Sequence, residues 1–146
     1  MDTLYRACIL GRLQDVELSL NEGADVNKIV SGDTLLLCAV SIGLYDIANL
    51  LLKQRGINVN FRNRHGNTAL HAAARSGNIH IIYTLLDAGA DISQCRSDRY
   101  NSAVKQAFAN YFQQKTIELQ YIAKLKIPTD IIRRISSYVT SEHQSS

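Results

Sequence analysis

The stretch GNTALHAAARSGNIHIIYTLLDAGADI, Gly66 to Ile92, decides the fold. Gly66-Asn67-Thr68 reads as a tight turn that passes into a helix, with Thr68 as N-cap because its hydroxyl can accept from an orphan backbone N–H of the first turn. Leu70, Ala73 and Ala74 share one face of that helix, with alanines where a second helix must approach closely. Gly77 permits a left-handed C-cap. A second helix then carries Ile81, Ile82, Leu85 and Leu86 to another breaker at Gly89. Two short helices cannot bury both of their faces alone, so the unit predicts neighbours of its own kind.

Those neighbours are present. GDTLLLCAVSIGLYDIANLLL, from Gly32, repeats the pattern: Thr34 and Thr68, Leu36 and Leu70, Ala39 and Ala73, Gly43 and Gly77, and Leu52 and Leu86 each stand 34 residues apart. Turn segments follow at 33-residue spacing, GADVN at Gly23 to Asn27, GINVN at Gly56 to Asn60 and GADIS at Gly89 to Ser93. The change of phase falls among Lys53, Gln54 and Arg55. A fixed period of this length is the signature of a stacked helical repeat.

With TALHAAA followed by a complete GAD turn, Gly66 to Ile92 resembles an ankyrin repeat, with TALH in place of the family's TPLH. The resemblance implies an all-α solenoid of helix-turn-helix repeats with loop tips, closed by C-terminal capping helices. Three repeats are expected over 1–31, 32–65 and 66–99, the first keeping Leu4, Ala7, Gly11, Leu20 and GADVN. A degenerate fourth unit is expected over 100–126, where Ser102, Val104 and Ala107 hold the period while Tyr100 and Tyr111 replace both glycines. Terminal units of such arrays are characteristically atypical. An amphipathic helix over 127–140 and a polar tail over 141–146 complete the division.

Composition agrees with an ordered, helix-rich chain: 46% apolar and 20% charged residues with one proline. No apolar run approaches the ~20 residues of a membrane span, and MDTLYRACIL lacks the basic start and cleavage site of a secretory signal, so the expected N-terminus is the encoded one. Cys8, Cys38 and Cys95 are widely spaced and form no CxxC, which argues against a disulfide framework or zinc site and for a reducing, cytoplasmic setting. Cys38 reads as a packing residue, and Cys95 as an exposed loop residue. His65, His71, His80 and His143 make no pair at metal-ligand spacing with a carboxylate or thiolate, and no nucleophile, phosphate-loop or metalloprotease motif is present. The expectation is a non-enzyme with no cofactor and no metal. His71 occupies the histidine position of the repeat motif, where the resemblance implies a hydrogen bond to loop backbone.

A repeat stack exposes one extended surface made of loop tips and the outward ends of the first helices. The resemblance assigns Ile9 and Leu10, Ser41 and Ile42, and Arg75 and Ser76 to it, with tips at Lys28 to Ser31, Arg62 to His65 and Arg96 to Arg99. This surface reads apolar and then basic: Ile9, Leu10, Ile29, Val30 and Ile42, followed by Arg62, Arg64, Arg75, Arg96 and Arg99. Apolar groups beside arginines are suited to a protein partner with an acidic and apolar segment. A net charge of +3 and the lack of interleaved aromatics argue against nucleic acid.

From Ser102 to Lys126, apolar residues recur at helical spacing with no glycine between the two sets, which leaves two helices and one long helix equally open. Ile127-Pro128 breaks the pattern, and Thr129-Asp130 restarts a helix. Ile131, Ile132, Ile135, Tyr138 and Val139 line its apolar side. That helix can close the open end of the stack. Its Pro128, Ile131, Ile132, Ile135, Tyr138 and Val139 also resemble the first helix of an F-box-like tail of the PRANC type, which follows ankyrin repeats in some poxvirus proteins. The F-box continues into further helices, and the match here covers one. The function expected is non-catalytic protein recognition through the concave surface. Its rivals are a ubiquitin-ligase adaptor engaging a Skp1-like or cullin-associated component, and a bacterial or viral effector that masks a host protein in the host cytosol.

Overall fold

The computed structural model describes residues 3–95 and 102–124. Three helix pairs follow one another: α1 (Thr3–Ile9) with α2 (Leu13–Asn21), α3 (Leu35–Ile42) with α4 (Tyr45–Leu52), and α5 (Ala69–Ser76) with α6 (Ile79–Asp87). Between the first two pairs lies a small antiparallel hairpin, β1 (Ile29–Val30) and β2 (Asp33–Thr34), and a short 3-10 turn occupies Ile92–Gln94. The long helix α7 spans Ser102–Lys124. The chain is an all-α repeat solenoid whose described strand content is this one hairpin.

Each pair forms for the reasons its sequence carries. Thr34 Oγ1 accepts from the Leu37 N–H at 3.3 Å, and Thr68 Oγ1 accepts from the His71 N–H at 3.4 Å, so both threonines cap as their position predicts. His71 returns the bond: its Nδ1 accepts from the Thr68 N–H at 3.2 Å, closing a reciprocal capping box with histidine where glutamate usually stands. Gly43 (φ 83°) and Gly77 (φ 72°) end their helices in the left-handed region, where a side chain would be strained.

Packing repeats with the same period. Leu4, Leu36 and Leu70 are each 1% exposed, and α3 lies between α1 and α5. Ala39 and Ala73, fully buried at corresponding positions, leave room for the second helix of the pair. On the second helices, Ile47, Ala48 and Leu51 of α4 correspond to Ile81, Ile82 and Leu85 of α6, and all six are buried. Each fully buried Leu or Ile contributes about 1.5–3 kcal/mol before chain entropy is subtracted. In α2 the equivalent positions hold Asp15, Val16 and Ser19, and only Val16 is buried. The first pair thus has a more polar second helix than the two pairs that follow it.

Side-chain amides join one repeat to the next. Asn27 Nδ2 donates to the Gly56 carbonyl at 2.7 Å while its Oδ1 accepts from the Asn58 N–H at 2.7 Å. One repeat later Asn60 Nδ2 donates to the Gly89 carbonyl at 3.0 Å, and its Oδ1 accepts from the Asp91 N–H at 2.7 Å. The third turn has Ser93 at this position, whose hydroxyl is too short to bridge in the same way. The ladder therefore has no amide with which to continue.

The chain divides into two compact units, the first ending at Val104 and the second beginning at Lys105. The choice between two helices and one after Ser102 is resolved as a single 23-residue helix, for which the missing glycine is a sufficient local cause. Val104, Ala107 and Phe108 are buried, Tyr111 is half-buried, and Phe112, Ile117, Leu119 and Tyr121 are exposed. Tyr111 and Phe112 meet edge to face at 5.5 Å, and the Lys115 ammonium stands 5.6 Å from the Tyr111 ring centre. One cysteine expectation is corrected: Cys95 is buried at 9% exposure, because the 3-10 turn before it folds the chain inward, its N–H donating to the Ile92 carbonyl.

Replacing Asn60 with Ala removes two inter-repeat bonds at once and should lower stability by about 1–2 kcal/mol, since its backbone partners sit in exposed turns that water can reach. Asn21→Ala, on the exposed end of α2, should stay within about 0.5 kcal/mol of the wild type. Urea unfolding midpoints measure both, and equal midpoints for the two variants would contradict the ladder's role.

Candidate functional site

The first helices end outward for a periodic reason. In α3, Leu35, Leu36, Leu37, Ala39 and Val40 are buried, and the next two residues, Ser41 and Ile42, turn to solvent before Gly43. Ile42 is 56% exposed. At the corresponding point of α1 and its C-terminal turn, Ile9 is 38% and Leu10 53% exposed, while Arg75 and Ser76 close α5 in the same register, both exposed. Since α3 packs against α1 and α5, these three helix ends are neighbours in one row.

The loop tips precede the first helices, at the end of each helix opposite that row. In the hairpin, Ile29 pairs with Thr34 and Val30 with Asp33, and the two central residues Ser31 (φ 56°) and Gly32 (φ 95°) both have positive φ, the geometry that matches strand twist in a two-residue turn. Ile29 is exposed at 54% and Val30 is half-buried. The second tip is organised by Asn63, whose Oδ1 accepts from the N–H groups of His65 and Asn67, each at 3.0 Å, while its backbone carbonyl accepts from the Gly66 N–H at 2.8 Å. Asn63 Nδ2 reaches back to Asp33 Oδ1 at 2.9 Å and so ties the second tip to the first. Arg62 and Arg64, on either side of Asn63, are exposed, and Arg64 Nε donates to His65 Nε2 at 3.2 Å.

Ile9, Leu10, Ile29, Val30, Ile42, Arg62, Arg64 and Arg75 thus all have described positions on helix ends and tips. Arg96 and Arg99 lie outside the described residues, as do Pro128, Ile131, Ile132, Ile135, Tyr138 and Val139 of the expected C-terminal helix. Sequence reasoning passed over Asn27, Asn60 and Asn63. The first two carried a signal, the same residue type at the same place in turns 33 residues apart.

Beside the hairpin, Cys38 is half-buried, and burial first and the Asp33 carboxylate second push its thiol above the usual range. Both effects disfavour the thiolate, so Cys38 is a poor nucleophile. Among the described residues no cluster of three or more His, Cys, Asp or Glu side chains is arranged to hold a metal ion. The arrangement offers contact area and charge.

Comparison with known proteins agrees with this geometry. The family model described as ankyrin repeats, in three copies, matches residues 4–94. Alpha-latrocrustotoxin-Lt1a of Latrodectus tredecimguttatus is 45% identical over 74 residues, which is 51% of this chain and 5% of the toxin. The B-cell lymphoma 3 protein homolog of Mus musculus is 34% identical over 102 residues, 67% of this chain and 22% of that protein. The putative ankyrin repeat protein FPV014 of Fowlpox virus (strain NVSL) is 33% identical over 108 residues, 73% of this chain and 24% of the viral protein. The matched part of the chain therefore corresponds to between 5% and 24% of each of these relatives.

The exposure of Ile42 has a direct test. Ile42→Asp should change stability by no more than about 0.5 kcal/mol, whereas Leu36→Asp, one turn and a half earlier in the same helix, should prevent folding because it places an unpaired charge in the core. Circular dichroism with thermal melting distinguishes them, and a collapse of the Ile42→Asp melting temperature would show that this side chain is core.

Proposed function

Because this chain belongs to the ankyrin-repeat family, we propose that it is a non-catalytic recognition module that holds a partner protein on the surface built by its loop tips and first-helix ends. The observation that carries this proposal is the outward placement of Ile9, Leu10, Ile29 and Ile42: of the exposed large aliphatic side chains among residues 3–95, all but Leu18 of α2 lie on the first-helix ends and the hairpin. Ile9, Leu10 and Ile42, set at corresponding ends of the packed helices α1 and α3, make one apolar patch, which is the usual mark of an interaction surface. The flanking arginines supply the polar, charged rim that such patches carry. Rigid support comes from beneath: the tips are tied by Asn63 to Asp33, and the turns by Asn27 and Asn60. A pre-ordered surface loses little entropy on binding.

All three cysteines are free thiols, and no described helix is long and apolar enough to cross a membrane. A reducing cytosol is the setting we propose for the interaction.

The test uses a partner captured by the intact chain and then measured pure. Ile42→Asp should weaken its binding by more than about 1 kcal/mol, the scale of a residue at the centre of an interface. Glu17→Lys, on the exposed side of α2, should leave affinity within about twofold, as expected of a site outside the contact. Isothermal titration gives both values. Binding that survives Ile42→Asp and disappears with Glu17→Lys would move the interface to the second helices and overturn the proposal.

A further inference from the structure

The charges of the three helix pairs are sorted by element. From Thr3 to Cys95 basic and acidic residues are equal in number, so the span is neutral as a whole. Yet the first helices and tip loops carry Arg6, Lys28, Arg62, Arg64 and Arg75 against one carboxylate, Asp33. Every other acidic residue of the span lies on a second helix or on the turn that follows it. A neutral stack with such sorting has a positive side and a negative side.

The positive side is also uneven along the repeats. Equivalent positions change from apolar to basic: Ile9 at the end of α1 corresponds to Arg75 at the end of α5, and Val30 of the first tip corresponds to Arg64 of the second. Among the described residues no carboxylate pairs with Arg62, Arg64 or Arg75, all of them exposed. Asp33, the one carboxylate on this side, already accepts from Asn63. Arg62 and Arg64 stand together in the second tip and Arg75 at the far end of the 8-residue α5; unpaired like charges on one side of the stack raise the local potential, which an incoming carboxylate relieves and which also speeds its arrival.

Resting on the recognition function proposed above, we infer that the partner segment is itself graded: apolar side chains at one end seat on Ile9, Leu10 and Ile42, and carboxylates at the other end meet Arg64 and Arg75. Packed helices lie about 8–10 Å apart, so the row from α1 through α3 to α5 spans roughly 20 Å. An extended chain rises about 3.3 Å per residue. In an extended segment, a carboxylate on Arg75 should accordingly stand about six residues from an anchor on Ile9 or Leu10 and about three from one on Ile42. The surface selects for the separation of the two blocks as well as for their presence, because a segment with the two kinds of residue mixed places carboxylates on the apolar end.

A random dodecapeptide library displayed on phage and selected on the full chain at low salt tests this directly. Enriched peptides should combine aliphatic or aromatic residues at one end with net negative charge at the other. Fluorescence anisotropy should show the affinity of a selected peptide falling about tenfold or more with the double substitution Arg64→Glu and Arg75→Glu. Lys53→Glu on the second-helix side should change it less than about threefold. Replacing the peptide's carboxylates by lysine should restore binding to the double variant. Neutral or basic winners that still lose binding with Ile42→Asp would overturn the graded partner while leaving the recognition surface standing. Peptide binding that ignores Ile42→Asp and the arginine substitutions alike would overturn both. Preferential, arginine-dependent binding of a single-stranded oligonucleotide, with no acidic peptide enriched, would replace the protein segment by nucleic acid.

Discussion

Two asparagine side chains set the spacing on which the rest of the stack depends. Asn27 and Asn60 each hold a carbonyl and an N–H of the next repeat's turn, at 2.7 to 3.0 Å, and thereby fix where the following helix pair begins. A side-chain amide is suited to this because it presents one acceptor and two donors in a plane and can satisfy two backbone groups that a turn leaves unpaired. With the turns in register, Leu36 and Leu70 fall at equal depth and the aliphatic residues of α4 and α6 meet in one core. Hydrophobic burial supplies most of the stabilisation. The amides determine which burial is realised.

The first pair and the turn after the third differ from the internal repeat at particular residues. Asp15 and Ser19 stand in α2 where α4 and α6 have buried Ile and Leu, so the second helix of the first pair is polar where the later ones are apolar. At the other end Ser93 occupies the place of Asn27 and Asn60, and no glycine interrupts the run from Ser102 to Lys124. The helix pair gives way to a single helix. These substitutions are local, one residue deep, and each removes a specific interaction that the internal repeats use.

Much of the fold was legible in the sequence because the motif's parts act over short distances. Thr34 and Thr68 cap helices that begin beside them, and Gly43 and Gly77 end those helices in a backbone region that glycine tolerates. The outward turn of Ile42 was implied by the resemblance to an ankyrin repeat. Other features went beyond what the repeat motif carries. Cys95 looked like a loop residue and is buried because the 3-10 turn folds it in. The 23-residue continuity of α7 was one of two open alternatives, since an absent glycine permits a long helix without requiring it. Asn63 could not be recognised as the organiser of the second tip, because its bond to Asp33 joins residues thirty positions apart. The sorting of charge between first and second helices became visible only when residues were assigned to elements.

The surface and the ladder are parts of one device, since the helix ends that present Ile9, Ile42 and Arg75 are aligned only while successive turns stay clamped. The backbone amides of Asn58 and Asp91 report on that clamp. Both residues are exposed and lie in turns, where an amide without a protein acceptor exchanges freely with solvent. Native-state hydrogen exchange followed residue by residue is the decisive measurement. If the asparagine bonds hold the stack together, these two amides should open with the same free energy as core amides of α5 such as Ala73 and Ala74. Exchange at the rate of unprotected loop amides, while the helices stay protected, would contradict the account.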